Sequence, residues 1–485
     1  MPPIKARTRK VNMVQTRSQW RASASRLSPE LLRMIFAWFC PHCRGNFEWQ
    51  HWADRHDGEQ HEQDVCSLFN LCRVSVAFCN AAQEVLYHSF DTRYPTTSRS
   101  RLQLELFLRS IAARPDLARS VKAVILDPSS IANLDFFASR DAFDHCAHAL
   151  GTSALDLWTQ TEHAYRANPQ TQHQGCEAFF LRDADPGTWA TRPSIPFLAS
   201  ELLTMLVALL PNLSYLKVDS PIEQLDLSRV TSDAIGLTRL PLKTLDTTLR
   251  FESLLELSPG VGTLVCRSGL SWDSLPSVQS LVIATHSVDH LAIQRVLAAC
   301  TGHLSNFSYR GVRATSEEIV RVLSTERLHA TLESIHIDCR SPAIGFLLLD
   351  RIIPSFTPFI NLRTLFLSIS PMNSDTESDS QALVNILPIS ITSLTLVVNE
   401  GDPSFARLRD QLVCLAKAKA KASVFKHLSR VRCDALQACD QYVKDLFKQV
   451  GVDFMYQEFP RSDSYVPADI EPLFLLPLLE SDDDL

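Results

Sequence analysis

Apolar side chains recur at Leu27, Leu31, Leu32, Ile35, Phe36 and Phe39, spacings that put six of them on one face of a helix. Its start is well marked. Ser28 is a good N-cap, Pro29 takes the first helical position where its missing N–H costs nothing, and Glu30 complements the positive end of the dipole. Leu27 and Leu32 are placed for a hydrophobic staple. A second pattern, Val65, Leu68, Leu71, Cys72, Val74, Ser75 and Phe78, predicts a helix capped by Asp64, and a third runs from Ala81 to Tyr87. Three helices this short cannot bury all their apolar faces among themselves, which leaves surface for a partner.

From Leu102 the period changes. A helix ending near Pro115 is followed by the strand-like run Val121 to Leu126, and the form apolar-x-x-apolar-x-apolar then returns. It recurs as Leu213/Leu216/Val218, Leu242/Leu245/Thr247, Val261/Leu264/Cys266, Val278/Leu281/Ile283, Leu304/Phe307/Tyr309, Leu332/Ile335/Ile337, Leu362/Leu365/Leu367 and Ile391/Leu394/Leu396. Starts 28, 30 and 29 residues apart from Leu304 onward, each late unit carrying a helix before its strand, predict an irregular leucine-rich-repeat-like solenoid. Those helices are expected over 198–210, 291–300, 315–323, 344–353 and 381–387, the third opened by a Thr315–Glu318 capping box. An ordinary α/β domain with a parallel sheet is the alternative.

The string Leu27-Ser28-Pro29-Glu30-Leu31-Leu32 with Ile35, then Leu68-Phe69-Asn70-Leu71-Cys72-Arg73-Val74-Ser75 with Phe78 and Leu86-Tyr87, resembles the F-box, here of the fungal type. The proline comes one place later than in the commonest form, and residues 40–63 interrupt what that family joins directly. The resemblance implies docking of a Skp-type adaptor, and through it a cullin, by Leu27, Pro29, Leu31, Leu32, Ile35, Leu68, Leu71, Val74, Ser75 and Phe78. It also implies that the chain selects a target for a ubiquitin ligase of the SCF type, acting by proximity and not by bond chemistry.

Composition fits a binder. Fourteen glycines in 485 residues are few, about 3% where about 7% is usual, which argues against glycine-rich phosphate loops. A net charge of −7 gives no global attraction to nucleic acid. Thirteen scattered cysteines suit a reducing compartment, and neither a secretory signal nor a bilayer-spanning run is read, so a cytoplasmic or nuclear protein is expected. No G-x-G-x-x-G, phosphate loop, H-E-x-x-H or G-x-S-x-G motif occurs, so neither an enzyme activity nor a cofactor is expected.

One constellation looks like chemistry. Cys40-Pro41-His42-Cys43 is followed by His51, His56, His61 and Cys66. A C-x-x-C corner is half of a zinc site, but no second paired half follows, so Cys40, Cys43, His51 and Cys66 are expected to bind no stoichiometric metal. Cys40-Pro41-His42-Cys43 also resembles the active-site turn of thioredoxin-like oxidoreductases, although here it closes a helix and no strand precedes it.

The expected organisation is α/β: a disordered basic tail over 1–23, an F-box over 24–91 with an insertion at 40–63, a leucine-rich-repeat-like domain over 92–459 with an insertion at 127–196, and a flexible acidic tail over 460–485. In the late units the residues between the apolar positions face a concave surface. His336, Phe366 and Thr395 are therefore the expected target-binding residues, with Phe366 at the centre.

Overall fold

The computed structural model describes residues 27–40, 42–44, 57–93, 102–132, 134–167, 195–220, 225–267, 272–284, 290–311, 314–340, 355–369, 380–398, 405–421 and 424–459. The basic stretch before Leu27, His51 and His56, the expected helix at 344–353, the polar stretch 371–379 and the acidic end lie outside the described residues. The chain divides into two compact units. The first comprises Met1–Trp52, His56–Leu216 and Ser228–Pro241, the second Ala53–Arg55, Lys217–Leu227 and Leu242–Leu485.

The first unit opens with α1 (Pro29–Ala37), α2 (Asp57–Leu71) and α3 (Val76–Leu86). Ser28 caps α1 by accepting from the Leu31 N–H at 3.4 Å, and Ser75 caps α3 by accepting from the Phe78 N–H at 3.3 Å. The helices share one small core of Leu32, Phe36, Cys40, Leu68, Ala81, Ala82 and Val85. Strand β1 (Ser89–Asp91) follows α3 directly, then α4 (Gln103–Ala113), α5 (Pro115–Ser120) and β2 (Ala123–Leu126), which pairs parallel with β1. Next come α6 (Pro128–Ala132), α7 (Phe136–Ala149), α8 (Ala154–Ala167), α9 (Ile195–Leu209), β3 (Tyr215–Val218), whose last two residues belong to the second unit, and α10 (Arg229–Ala234). Phe90 stacks on Phe107 at 3.9 Å, so the first strand and α4 share an aromatic contact.

The second unit carries β4 (Thr244–Thr247), α11 (Glu252–Glu256), β5 (Thr263–Cys266), β6 (Ser280–Ala284), α12 (His290–Ala299), β7 (Asn306–Arg310), α13 (Ser316–Leu323), α14 (Glu326–Thr331) and β8 (Ser334–Asp338). It continues through β9 (Thr364–Ile369), α15 (Ala382–Ile386), β10 (Ser393–Val398), α16 (Phe405–Ala420), β11 (Arg430–Cys433), α17 (Gln441–Gln449) and β12 (Asp453–Tyr456). Its register aligns buried apolar residues across neighbours: Ile335 opposes Leu365, Leu365 opposes Leu394, and Leu394 opposes Val431. Charges buried on the strands are paired, as burial of an isolated charge would demand. Lys217 lies 2.9 Å from Asp219, and Arg340 holds Asp338 through two N–H bonds of 2.9 Å.

Twelve strands thus join one sheet in strict chain order, with helices between them. This corrects the expected fold of an N-terminal three-helix F-box followed by a leucine-rich-repeat-like solenoid. Residues 89–91, assigned by the sequence to the helical module, are the first strand of that sheet. The nine strand motifs do coincide with β2 to β10, but no constant unit separates them: α11 and α15 have 5 residues and α9 has 15. The apolar-x-x-apolar-x-apolar pattern reports a strand with one buried face and carries no information about the crossover that follows it. What the chain forms is an α/β architecture on a continuous twelve-stranded sheet.

Candidate functional site

Helix α1 does not put its apolar residues on one face, as the sequence predicts. Leu32 and Phe36 point into the small core, Leu32 retaining 1% exposure. Leu31, Met34, Ile35 and Trp38 stay exposed, Trp38 at 75%. Offsets of three, four and seven residues stack these four along one side of the helix, about 130° away from the buried pair. Three short helices have room for one layer of buried side chains, so two of the six expected residues fill it and the rest of the helix perimeter remains wet. Where α2 meets α3, Phe69, Val74 and Val76 are also exposed, Val76 at 78%. The exposed Arg33–Glu84 ion pair at 2.6 Å links α1 to α3 beside this surface.

The residues expected to bind an adaptor therefore divide. Leu27, Pro29, Leu31, Ile35, Val74 and Ser75 are exposed, the Ser75 hydroxyl being already engaged as the α3 cap. Leu32 and Leu68 are core, and Leu71 and Phe78 are half-buried against it, the Phe78 ring meeting Phe36 edge-on at 5.5 Å. The sequence reading missed Met34, Trp38, Phe69 and Val76. Met34 and Trp38 were legible as positions three and seven residues after Leu31; Val76 was not, because it follows a cap that read as helix interior.

The expected target-binding residues are less open than predicted. The His336 imidazole stacks on Phe366 with ring centroids 3.8 Å apart, and Phe459 meets Phe366 edge-on at 5.5 Å. The backbone carbonyl of Phe459 accepts from Arg340 at 3.2 Å, which anchors that segment beside the pair. His336 has its pKa pushed down to about 3, by burial first and by the neighbouring Arg310 next, so its ring is neutral. Thr395 is half-buried on β10, directly opposite Phe366. Phe366 is therefore the middle of an aromatic sandwich and not an exposed anchor.

The C-x-x-C corner finds partners the sequence did not indicate. Cys40 ends the turn after α1, its N–H donating to the Ala37 carbonyl at 3.1 Å, while its own carbonyl accepts from Arg44 at 3.1 Å. This tight turn brings His42 and Cys43 back over Cys40. From the far side comes His88, between α3 and β1, its backbone carbonyl accepting from Lys122 at 2.8 Å and Ala123 at 3.0 Å. Cys43 Sγ lies 3.2 Å from His88 Nδ1 and 3.8 Å from His42 Nδ1, and Cys40 Sγ lies 3.9 Å from His88 Nδ1. One ligand atom from each of these four residues falls within 4.8 Å of the others, and no other such group occurs among the described residues.

The two thiols are electrostatically unlike. Cys43, hydrogen-bonded by Cys40 first and then by His42 and His88, has its pKa driven down; Cys40, which donates to it and is buried, has its pKa driven up. His42 and His88 were overlooked as a pair because 46 residues separate them and only the fold, through the β1–β2 pairing, fixes His88 at this corner. Cys66 is exposed and apart from the group, and His51 lies outside the described residues.

No family model matches the chain, and no curated protein matches it. No helix among the described residues is long and apolar enough to cross a membrane.

Proposed function

We propose that the chain is a non-enzymatic recruiting subunit that docks a Skp-type adaptor through the exposed apolar side of α1 and the α2–α3 corner, and so delivers a target protein to a cullin ubiquitin ligase. The observation that carries this reading is the stripe of Leu31, Met34, Ile35 and Trp38 held in water on a capped helix whose other side is core. Solvated apolar side chains grouped on one rigid element are a cost to an isolated protein and the usual anchor of an interface. The resemblance of Leu27 to Leu32 and of Leu68 to Ser75 to the F-box supplies the identity of the occupant.

The mechanism is proximity. A chain that holds adaptor and target at once raises the effective concentration of target lysines near the charged conjugating enzyme, and needs no bond chemistry of its own. On the target side, His336, Phe366 and Thr395 lie on adjacent strands, and a protein that engages Phe366 there has to displace Phe459.

The test is co-purification of the tagged full chain from eukaryotic cells. Adaptor and cullin are expected with the wild type and are expected to vanish with Ile35→Asp, which places a charge in the stripe without touching the core. Leu32→Ala is the control for indirect loss through unfolding, because its side chain belongs to the core. Absence of adaptor from the wild-type eluate, or its undiminished presence with Ile35→Asp, overturns the proposal.

A further inference from the structure

We infer that Cys40, His42, Cys43 and His88 form a structural zinc site that clamps the end of α1 to the start of β1. The donor set is two sulfurs and two imidazole nitrogens, the combination that selects zinc in tetrahedral sites. The spacing fits as well. Zinc–sulfur bonds near 2.3 Å and zinc–nitrogen bonds near 2.0 Å place tetrahedral ligands about 3.3–3.8 Å apart. Three of the six ligand–ligand separations, 3.2, 3.8 and 3.9 Å, match this to within a few tenths of an ångström, and all six lie within 4.8 Å. A hydrogen-bonded pair of thiols would account for Cys40 and Cys43 alone; it gives no reason for two imidazoles to converge on the same point with Nδ1 foremost.

The surroundings suit a resident cation. Cys40 is buried and forms the floor, His42 and His88 are half-buried walls, and Cys43 is exposed, which leaves an entry path. Two thiolates balance the charge of the metal. The Arg44 guanidinium, one residue after Cys43, is turned onto the buried Asp64 carboxylate at 2.7 Å and is engaged there. The main chain of His88 is fixed by the two bonds its carbonyl accepts from Lys122 and Ala123. Four protein ligands leave no open coordination position, which makes the site structural and not catalytic. Its effect is to tie the end of α1 to the start of β1 and so to fix the helix that carries the exposed stripe. The site stands on its own geometry and does not depend on which partner the stripe binds.

Elemental analysis of the full chain, purified without chelator, is expected to give one zinc per molecule. Cys66→Ser should retain it, Cys43→Ser should lose it, and His88→Gln should release it to a chromophoric chelator at least about tenfold more readily. Should Cys43→Ser fail to fold, cobalt replacement in the wild type decides: the intense thiolate-to-cobalt absorption and the visible bands of a tetrahedral centre are expected. Wild-type protein with no zinc and no such cobalt spectrum overturns the proposal, as does a Cys40–Cys43 disulfide in protein isolated without reductant, or undiminished zinc in a Cys43→Ser/His88→Gln double variant.

Discussion

Glu201 on α9 is fully buried, and the Thr231 hydroxyl donates to its carboxylate at 2.5 Å. Burial pushes its pKa up from 4.5 to about 7, against the smaller opposing effect of hydrogen bonds from Thr231 and Ser228. Oε1 makes no hydrogen bond, so the carboxylate form is poorly solvated there. Because the folded carboxyl holds its proton to higher pH than the unfolded one, the folded state binds more protons between pH 4.5 and 7, and stability must fall as pH rises through that window. At about 1.4 kcal/mol per pH unit, the loss between pH 5 and pH 8 is about 2–3 kcal/mol. Glu201→Gln removes the titration while keeping the shape and the acceptor for Thr231. Urea unfolding of wild type and variant at pH 5, 6, 7 and 8 should give a stability difference that shifts in the variant's favour by that amount as pH rises. The absolute value at any one pH is less informative, since the new amide N–H groups lack acceptors. A difference that stays constant across the four pH values refutes the reasoning, because it means Glu201 carries its charge in the fold.

Two further substitutions probe the second unit. A methyl built on Gly302 overlaps the backbone carbonyl oxygen of Pro276 and lies 3.0 Å from its carbon, so Gly302→Ala is expected to destabilise by about 1–3 kcal/mol, read as a lower thermal midpoint; an unchanged midpoint contradicts this close approach. Arg340 neutralises buried Asp338, reaches Asp434 at 3.2 Å and holds the Phe459 carbonyl, so Arg340→Met should cost about 3–5 kcal/mol by leaving Asp338 uncompensated. A loss below about 1 kcal/mol would show that the charge relaxes into water.

The strands were legible because each buries apolar residues with a fixed pattern, and β2 to β10 all lie where that pattern placed them. β11 carried the same signal in Leu428, Val431 and Cys433, all buried, and it passed unread. β1 has no such signal, since all three of its residues are only half-buried. The fold built on these strands was not legible, because a motif of six residues does not specify helices that vary from 5 to 16 residues between them. On α1 the period identified the helix but not which apolar residues were core. That division depends on Leu68, Ala81, Ala82 and Val85, which reach Leu32 and Phe36 only after the chain returns through α2 and α3. The Cys–His cluster failed for the same reason: His88 carries no local mark, and a sheet pairing places it.

The central claim is that the exposed side of α1 is the adaptor-docking surface, and calorimetric titration of the purified chain with a purified Skp-type adaptor tests it most directly. Saturable one-to-one binding is expected, weakened about 30-fold or more by Ile35→Asp and by Trp38→Ala, as loss of an interface anchor worth about 2 kcal/mol or more requires, with thermal midpoints unchanged. No heat of binding from the folded wild type, or equal affinity for all three proteins, would contradict it.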